Sequence, residues 1–176
     1  GLIYIQTASS MIPAKVLGPD AGDHVLDMCA APGSKTTHIA ALMGNRGSID
    51  AWDVYPHKVK LIKDNAKRLG ISIIHTEVRD SVKPLPFLYE TYDKVLLDAP
   101  CSGLGVLGHK VELRWRRKES DLSVFPPLQK QLIEQAAKYT KTGGVLVYST
   151  CTLNPDENEH IINEFLSLHS EFAPEE

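Results

Sequence analysis

The sequence predicts an α/β fold, a doubly wound and mostly parallel sheet with helices on both faces. Five short apolar runs alternate along the chain with segments of helical spacing, and no internal repeat interrupts this order. Carboxylate and thiol side chains follow the ends of these runs. Strands and helices in alternation, joined by right-handed crossovers, place the carboxyl ends of all strands at one edge of a parallel sheet.

The first residues of the chain predict a segment that packs against the rest of the fold. Residues 1–18 carry no charge before Lys15, which indicates a buried approach segment followed by a short helix over residues 11–17. A turn rich in Gly, Pro and Asp at residues 18–23 then leads into the first strand. Strands are expected at residues 24–28, 47–53, 71–76, 92–97 and 145–149.

The helices are expected between these strands. One follows the first strand and ends near Gly44, and a second covers residues 56–69 with Gly70 at its end. A third covers residues 128–139 and is ended by Gly143 and Gly144.

The last helix has a strong predicted beginning. Asn154 suits the N-cap, Pro155 suits the first helical position, and Glu157 stands three residues after the cap, where it would complete a capping box. The helix is expected to continue through Leu166.

The composition is that of one globular domain. With 176 residues, 43% of them hydrophobic, the chain can bury most of its apolar surface. It has no apolar run of about eighteen residues and no signal-peptide pattern, so we expect a cytoplasmic protein without a membrane segment. The three cysteines lie tens of residues apart, which predicts thiols rather than disulfides or a metal site.

The net charge and the first residue both bear on whether this chain is part of a longer protein. A net charge of −3 limits any contact with nucleic acid to a local patch or to another domain. The chain begins with Gly1 instead of methionine, which indicates a piece of a longer protein.

The segment from Val25 to Thr37, VLDMCAAPGSKTT, predicts a strand, a ligand-binding loop and a helix whose N-terminal amides face that ligand. A dinucleotide loop needs more glycines than Gly33 alone, and a phosphate loop needs glycine where Cys29 and Ser34 stand. The pattern therefore favours a nucleoside with a charged tail that lacks phosphate, with Asp27 facing an ammonium group. S-adenosylmethionine fits that description.

Polar residues follow the other predicted strands as well. Asp53 ends the second strand about twenty residues after Gly33, where nucleoside-binding folds place the acid that holds the ribose. Asp80 and Ser81 follow the third strand, and either accept the adenine amino group or cap a turn. The fourth and fifth strands are followed by Asp98, Cys101 and Cys151.

Most of the cations suited to binding an anionic partner lie in residues 104–126, with Trp115 among them. Arginines beside an aromatic side chain suit phosphate contacts and stacking on a base or sugar, and a charged, solvated loop is the alternative. The residues are Lys110, Arg114, Trp115, Arg116, Arg117 and Lys118.

Four motifs support a closer assignment: DMCAAPGSKT at residues 27–36, DAPCSG at 98–103, WRR at 115–117, and STCT at 149–152 followed by Pro155 and the Glu-Asn-Glu of 157–159. With these motifs the chain resembles, over essentially its whole length, the RsmB/Sun family of S-adenosylmethionine-dependent RNA cytosine-C5 methyltransferases. The resemblance implies a Rossmann-like class I methyltransferase fold, with residues 1–176 as the catalytic domain.

The resemblance also implies an activity and a cofactor site. The enzyme would transfer a methyl group from S-adenosylmethionine to C5 of a cytosine in RNA, ribosomal RNA in the first place and transfer RNA as the alternative. The implied cofactor-binding residues are Cys29, Ala30, Ala31, Pro32, Gly33, Ser34, Lys35, Asp53, Asp80 and Asp98.

The catalytic roles follow from the chemistry of the family. Cytosine C5 is a poor nucleophile until a thiolate adds to C6. In this family the thiol of the Thr-Cys motif makes this attack, which implies that Cys151 is the nucleophile. The thiol of the Pro-Cys motif assists release of the enzyme from the base, which implies this role for Cys101. Asp98 would hydrogen-bond the base near N3, and Lys35 would orient Asp98 and lower the pKa of the nucleophile. Cys29 is expected to be a small packing residue.

The sequence departs from the family pattern in two places. Ser34 replaces a glycine found in many members, and we expect a slightly different loop backbone without loss of binding. Family members also continue into an antiparallel strand pair and usually carry an N-terminal RNA-recognition domain. This chain has neither, so we expect the fifth strand to be an unprotected edge and this fragment to be less stable and to bind RNA more weakly than the full protein.

Three other functions compete with this one. A DNA cytosine-C5 methyltransferase would use the Pro-Cys thiol, so that Cys101 attacks and Cys151 is incidental. An RNA-binding scaffold would keep the fold without the chemistry. A nicotinamide oxidoreductase would need glycines that the loop before Lys35 lacks.

Overall fold

Five parallel strands form one sheet in the computed structural model, which describes residues 3–108, 115 and 119–175. The strands are β1 His24–Asp27, β2 Ser48–Asp53, β3 Ile74–Val78, β4 Tyr92–Asp98 and β5 Thr140–Ser149. Their order across the sheet is β3-β2-β1-β4-β5, so the chain first builds outward from β1 in one direction and then in the other. The predicted doubly wound α/β fold is confirmed.

The helices lie on both faces of this sheet. Within the described ranges they are α1 Ala8–Leu17, α2 Ser34–Leu42, α3 Pro56–Arg68, α4 Glu119–Leu122, α5 Phe125–Tyr139 and α6 Glu159–Leu168. Single 3₁₀ turns occur at Pro86–Leu88, Leu104–Val106 and Pro155–Glu157.

The core consists mainly of two apolar clusters, one on each face of the sheet. Val25 of β1 packs with Leu17 and Ile39 of α1 and α2. Its neighbour Leu26 packs in the other cluster, which contains Phe165 of α6 and residues of α5. Successive strand residues point to opposite faces, so both faces of the central strand are buried, as a doubly wound sheet requires.

The register of the strands brings their carboxyl ends together. Asp27 of β1 lies opposite Ala51 of β2 and Leu96 of β4. Asp98 at the end of β4 lies opposite Ser149 at the end of β5. The loops that follow β1, β2, β4 and β5 therefore start from one edge of the sheet.

The third strand begins later than predicted. The sequence predicts a strand over residues 71–76, whereas β3 begins at Ile74, opposite Ile49. The Ile71 amide donates to the Ala66 carbonyl of α3 at 2.9 Å, and the Ser72 amide donates to Asn45 Oδ1 at 3.0 Å. The Ile71 and Ser72 amides therefore bond outside the sheet.

The predicted burial of the approach segment is wrong. Ile3 is 73% exposed and Ile5 is 87% exposed. The helix that follows begins earlier than expected, at Ala8, and only Ala14 and Leu17 of it are fully buried. The absence of charge before Lys15 therefore marks an apolar surface strip and not a core element.

The glycine pair after α5 has a different role from the predicted one. Helix α5 ends at Tyr139, and β5 begins directly at Thr140, so Gly143 and Gly144 lie inside the strand. A Cβ on Gly144 would lie 2.8 Å from the Asp93 carbonyl oxygen. Glycine is needed there because the backbones of β4 and β5 approach closely at an irregularity in their pairing.

No helix within the described residues is long and apolar enough to cross a membrane.

Candidate active site

The residues predicted to carry the chemistry meet at the carboxyl edge of the sheet. Asp27, Asp53 and Asp98 are the last residues of β1, β2 and β4. Cys101 and Cys151 lie a few residues beyond β4 and β5 and contact each other. In open α/β sheets this edge is where ligands bind, because the strand order reverses between β1 and β4.

The loop between β1 and α2 has a backbone that requires glycine at one position. Gly33 has φ +96°, and a Cβ there would lie 3.1 Å from the Ile62 Cα. The Gly33 amide donates to the Ala30 carbonyl at 2.7 Å, which closes the loop before α2 begins at Ser34. Residues 29–34 have small side chains and lead directly into the N-terminus of α2, an arrangement that suits the binding of a ligand to backbone amides.

Asp27 is buried beneath this loop, and one of its oxygens has no hydrogen-bond partner in the part of the chain that the structure describes. It is 1% exposed, and its Oδ2 accepts a hydrogen bond from Thr36 Oγ1 at 2.7 Å. Among the described residues, Oδ1 has no hydrogen-bond partner. Burial raises the pKa of Asp27 to about 7, and nearby Asp98 adds to the rise while Thr36 and Lys35 oppose it. A cationic group of a ligand would satisfy this carboxylate.

The two acids predicted to hold the nucleoside have modest local roles in the structure. Asp53 is 8% exposed, and its Oδ1 accepts from the Tyr55 amide at 3.0 Å. Asp80 accepts from the Val82 amide at 3.3 Å, while Ser81 Oγ donates to the Met28 carbonyl at 2.8 Å. Of the two alternatives for the Asp80–Ser81 pair, the turn-capping one is thus observed, and a contact with adenine stays a prediction.

Asp98 is held from two sides. Lys35 Nζ donates to Asp98 Oδ2 at 2.7 Å, and Ser149 Oγ donates to Asp98 Oδ1 at 2.7 Å. The Lys35 side chain is 17% exposed and that of Asp98 is 30% exposed, so the ion pair sits at the mouth of the site. The cofactor loop and the ends of β4 and β5 are thereby joined through one carboxylate.

The two cysteine side chains of the Pro-Cys and Thr-Cys motifs lie next to each other. Cys101 Sγ and Cys151 Sγ are 3.3 Å apart, and the Cys151 amide also donates to Cys101 Sγ at 3.3 Å. Cys151 is exposed and Cys101 is half-buried. The contact with Cys151 and burial both raise the pKa of Cys101, so Cys101 holds its proton more firmly than a free thiol does.

The third cysteine is electrostatically unsuited to act as a nucleophile. Burial raises the pKa of Cys29, and the carboxylates of Asp27, Asp53 and Asp98 raise it further. All three cysteines are present as thiols. Cys29 also packs against the apolar cluster that contains Leu26, which agrees with the predicted packing role.

The predicted RNA-binding residues lie almost entirely outside the described part of the chain. This holds for Lys110, Arg114, Arg116, Arg117 and Lys118. Trp115 is described and is 87% exposed. Among the described residues, no group of three or more His, Cys, Asp and Glu side chains is arranged to hold a metal ion.

Sequence reasoning missed the residues that support the site. The predicted capping box is wrong, because Glu157 lies in a 3₁₀ turn and turns inward, and α6 begins only at Glu159. Asn154 does act as a cap, since its side chain accepts from the Asp156 amide. Glu157 is fully buried and contacts the loop that carries Cys101, which the N-x-x-E spacing alone does not reveal.

Solved structures define the class of protein. The fold matches the crystal structure of NSun6 from Pyrococcus horikoshii with SFG, an analogue of S-adenosylmethionine. The match has a TM-score of 0.86 and 41% sequence identity, and it covers 94% of this chain and 42% of the other. A more distant match is the crystal structure of an S-adenosylmethionine-dependent O-methyltransferase of Thermotoga maritima. Its TM-score is 0.64 and its sequence identity 20%, over 98% of this chain and 52% of the other. The protein has the Rossmann-like fold of S-adenosylmethionine-dependent methyltransferases.

Sequence comparison narrows this class to one family. Residues 14–176 match the model of the 16S rRNA methyltransferase RsmB/F family. A relative from Bacillus subtilis, named probable ribosomal RNA small subunit methyltransferase B, is 44% identical over 99% of this chain and 39% of its own length. A mouse relative, the tRNA (cytosine(72)-C(5))-methyltransferase NSUN6, is 43% identical over 89% of this chain and 35% of its own. The chain belongs to the RsmB/F methyltransferase family, and it spans less than half the length of these relatives.

Proposed function

We propose that these 176 residues are the catalytic domain of an enzyme that transfers a methyl group from S-adenosylmethionine to C5 of a cytosine in RNA. The observation that carries this proposal is the pair of sulfurs 3.3 Å apart, beside the Lys35–Asp98 ion pair, at the ligand-binding edge of the sheet. Ribosomal RNA is the favoured substrate class because the family model and the B. subtilis relative carry that name. Transfer RNA, named for the mouse relative, is the second candidate.

The residues at the carboxyl edge fit S-adenosylmethionine. The unpartnered Oδ1 of Asp27 suits the ammonium of the methionine part, and Asp53 ends the strand next to the loop, where a ribose would lie. The loop of residues 29–35 and Asp80 complete the proposed binding set. When bound, S-adenosylmethionine supplies the methyl group as an electrophilic sulfonium.

Cys151 is proposed as the nucleophile. It is the exposed member of the pair, and its thiolate adds to C6 of the cytosine, which makes C5 electron-rich. After methyl transfer, solvent water takes the C5 proton, and the C–H electron pair re-forms the C5–C6 double bond. The bond from C6 to Cys151 Sγ breaks in this step and returns Cys151 as a thiolate. The neighbouring Cys101, held protonated, assists this release.

Asp98 and Lys35 are proposed to hold the base. Asp98 projects from the end of β4. Its carboxylate accepts a hydrogen bond from N3 of the base once N3 takes up a proton from solvent, which neutralises the negative charge that thiolate addition places on the ring. Lys35 fixes the direction of this carboxylate through its 2.7 Å contact, and its positive charge favours the thiolate of Cys151.

RNA contact is proposed for the basic segment around the exposed Trp115. Its cations are Lys110, Arg114, Arg116 and Arg117, which suit phosphate oxygens, while the indole ring suits stacking. The cytoplasm is the proposed compartment, because catalytic thiols this close need reducing conditions to stay thiols.

The test is a methylation assay with the complete protein. Tritiated S-adenosylmethionine is supplied with ribosomal or transfer RNA lacking the modification, and the product nucleoside is identified by mass spectrometry. We expect 5-methylcytidine with the wild type and none with Cys151→Ala. Methylation at another atom, or equal product from Cys151→Ala, would contradict the proposal.

A further inference from the structure

A buried carboxylate lies beneath the two cysteines. Glu157 is 0% exposed. Its Oε2 accepts hydrogen bonds from the Ser102 amide at 2.8 Å and from Gln129 Nε2 at 3.1 Å, and its Oε1 accepts from Asn154 Nδ2 at 3.1 Å. All these contacts are with donors, so the carboxylate is used as an acceptor on both oxygens.

These contacts fix the Pro-Cys loop, residues 99–103. Ser102, which directly follows Cys101, is bound through its amide to Glu157. On the other side of Cys101, the Pro100 carbonyl accepts from Gln129 Nε2 at 3.0 Å, and the same nitrogen donates to Glu157. The backbone is therefore restrained on both sides of Cys101 by one buried pair of side chains.

The same cluster reaches the Thr-Cys loop, residues 150–154. Ser102 Oγ and Thr152 Oγ1 are 2.7 Å apart, and both residues are buried. Asn154, at the end of this loop, donates to Glu157, and its amide donates to Thr152 Oγ1 at 3.2 Å. Glu157 is thus bonded to one residue of each cysteine loop.

We propose that Glu157 is a positioning residue that holds Cys101 Sγ beside Cys151 Sγ by fastening both cysteine loops to one buried carboxylate. Its importance for catalysis rests on the proposed function, in which both sulfurs act in turn on the same C5–C6 bond. A small shift of either loop separates them, and a displacement of about 1 Å in such a pair can cost about 100-fold in rate.

The variant that tests this is Glu157→Gln. It keeps the size of the side chain and one acceptor oxygen, but its amide nitrogen must face at least one of the donors Ser102, Gln129 or Asn154. Ser102→Ala keeps the amide that binds Glu157 and removes the hydroxyl contact between the two cysteine loops, so it is a milder second variant if Glu157→Gln folds poorly.

Tyr92→Phe is the matched control. Tyr92 is also fully buried, and its hydroxyl donates to Asp50 Oδ2 at 2.7 Å near the opposite end of β4. Loss of this hydroxyl removes a buried hydrogen bond to a carboxylate without touching either cysteine loop. Any effect of lower stability alone will therefore appear in Tyr92→Phe as well.

The first readout needs neither RNA nor activity. Diamide oxidises two neighbouring thiols to a disulfide, taking two electrons and two protons into its N=N bond, which becomes a hydrazine. We expect the rate of Cys101–Cys151 disulfide formation to fall at least about tenfold in Glu157→Gln. The rate in Ser102→Ala should be intermediate, and the rate in Tyr92→Phe should equal that of the wild type. Equal rates in Glu157→Gln and the wild type would overturn the proposal.

The second readout separates attack from release. On RNA with ordinary cytidine, we expect Glu157→Gln to accumulate a covalent protein–RNA species, as Cys101→Ala should, with a lower kcat and an unchanged KM for RNA. A fall in kcat without the covalent species, shared by Tyr92→Phe, would show a role in stability only.

The two proposals fail in different ways. If the wild type makes no 5-methylcytidine, the proposed function fails while the diamide result still decides whether Glu157 sets the distance between the sulfurs. If the wild type is active and Glu157→Gln behaves like Tyr92→Phe in both readouts, the positioning role of Glu157 fails by itself.

Discussion

Asp98 is the side chain through which the cofactor loop, β4 and β5 meet. Replacement by Asn keeps the shape but removes the charge that pairs with Lys35, and we expect methyl transfer to slow about 100-fold in single-turnover assays, as for loss of other electrostatic contacts to a reacting group. The control is Asp93→Asn, because Asp93 pairs with Lys141 at 2.6 Å toward the other end of the same strand. If both variants lose activity equally, Asp98 has no special place in the reaction.

Asp27 makes stability depend on pH in a direction opposite to that of most carboxylates. Its pKa is raised to about 7, so the folded protein keeps a proton that the unfolded chain releases above its ordinary pKa of 3.8. The contribution to stability is therefore complete below about pH 4 and is lost as pH rises to about 7, at up to about 1.4 kcal/mol per pH unit.

The measurement is urea unfolding of the wild type and Asp27→Asn at several pH values in this range. The difference between the two proteins isolates Asp27 from groups such as Asp93, whose pKa is lowered and which act in the opposite sense. We expect the wild type to lose stability relative to Asp27→Asn as pH rises. A constant difference would show that Asp27 is ionised throughout.

Among the structural elements, the loop between β1 and α2 depends most on one residue. Gly33→Ala would combine a left-handed backbone with a Cβ 3.1 Å from the Ile62 Cα, whereas Gly70→Ala would meet the same backbone strain, at φ +70°, in open space. We expect Gly70→Ala to cost about 1 to 2 kcal/mol of stability and Gly33→Ala to cost more.

Only Gly33→Ala should also weaken binding of S-adenosylmethionine, measured by calorimetry. The reason is that Ile62 or the loop must shift to admit the new methyl group. Equal affinity in Gly33→Ala and Gly70→Ala would show that the loop backbone does not contact the cofactor.

The elements also show how far the sequence predicts this structure. Short apolar runs that alternate with segments of helical spacing predict the five strands and their parallel arrangement. This pattern arises because helices bury both faces of the sheet. The start of β3 could not be predicted, since Ile71 and Ile73 are as apolar as strand residues while the Ile71 amide bonds to α3. At the site, the positions of the strand ends predict that the acids and thiols lie on one edge of the sheet. They do not predict the distances between these side chains.

Glu157 shows the same limit at the site. An Asn-x-x-Glu spacing predicts a capping box wherever the Glu side chain is near only its own helix. Here Ser102 and Gln129, 55 and 28 residues away, donate hydrogen bonds to the Glu157 carboxyl group, which turns inward to them. Interactions between segments so distant along the chain leave no local pattern to find.

At the scale of the whole molecule, charge limits where RNA can bind. The net charge is −3, so the proposed contact depends on the basic segment around Trp115. We expect replacement of Arg114, Arg116 and Arg117 by Ala to weaken RNA binding. The slope of log affinity against log salt should fall by about 0.7 for each phosphate that is no longer neutralised.

The matched control removes the same charge from another surface. Lys60, Lys63 and Lys67 are exposed on α3, and their replacement should leave the slope nearly unchanged. An equal fall in slope in both triple variants would show that RNA is held by general electrostatic attraction and not by the segment around Trp115.

In the proposed mechanism Cys151 attacks the base and Cys101 does not. The most direct measurement is covalent trapping of the complete protein on RNA containing 5-fluorocytidine, with S-adenosylmethionine present. Fluorine at C5 cannot leave as a proton does, so the attacking sulfur stays bonded to C6 and the adduct survives denaturation. We predict an adduct with the wild type and with Cys101→Ala, and none with Cys151→Ala. An adduct that survives Cys151→Ala and disappears with Cys101→Ala would contradict the account and favour the mechanism of DNA cytosine-C5 methyltransferases.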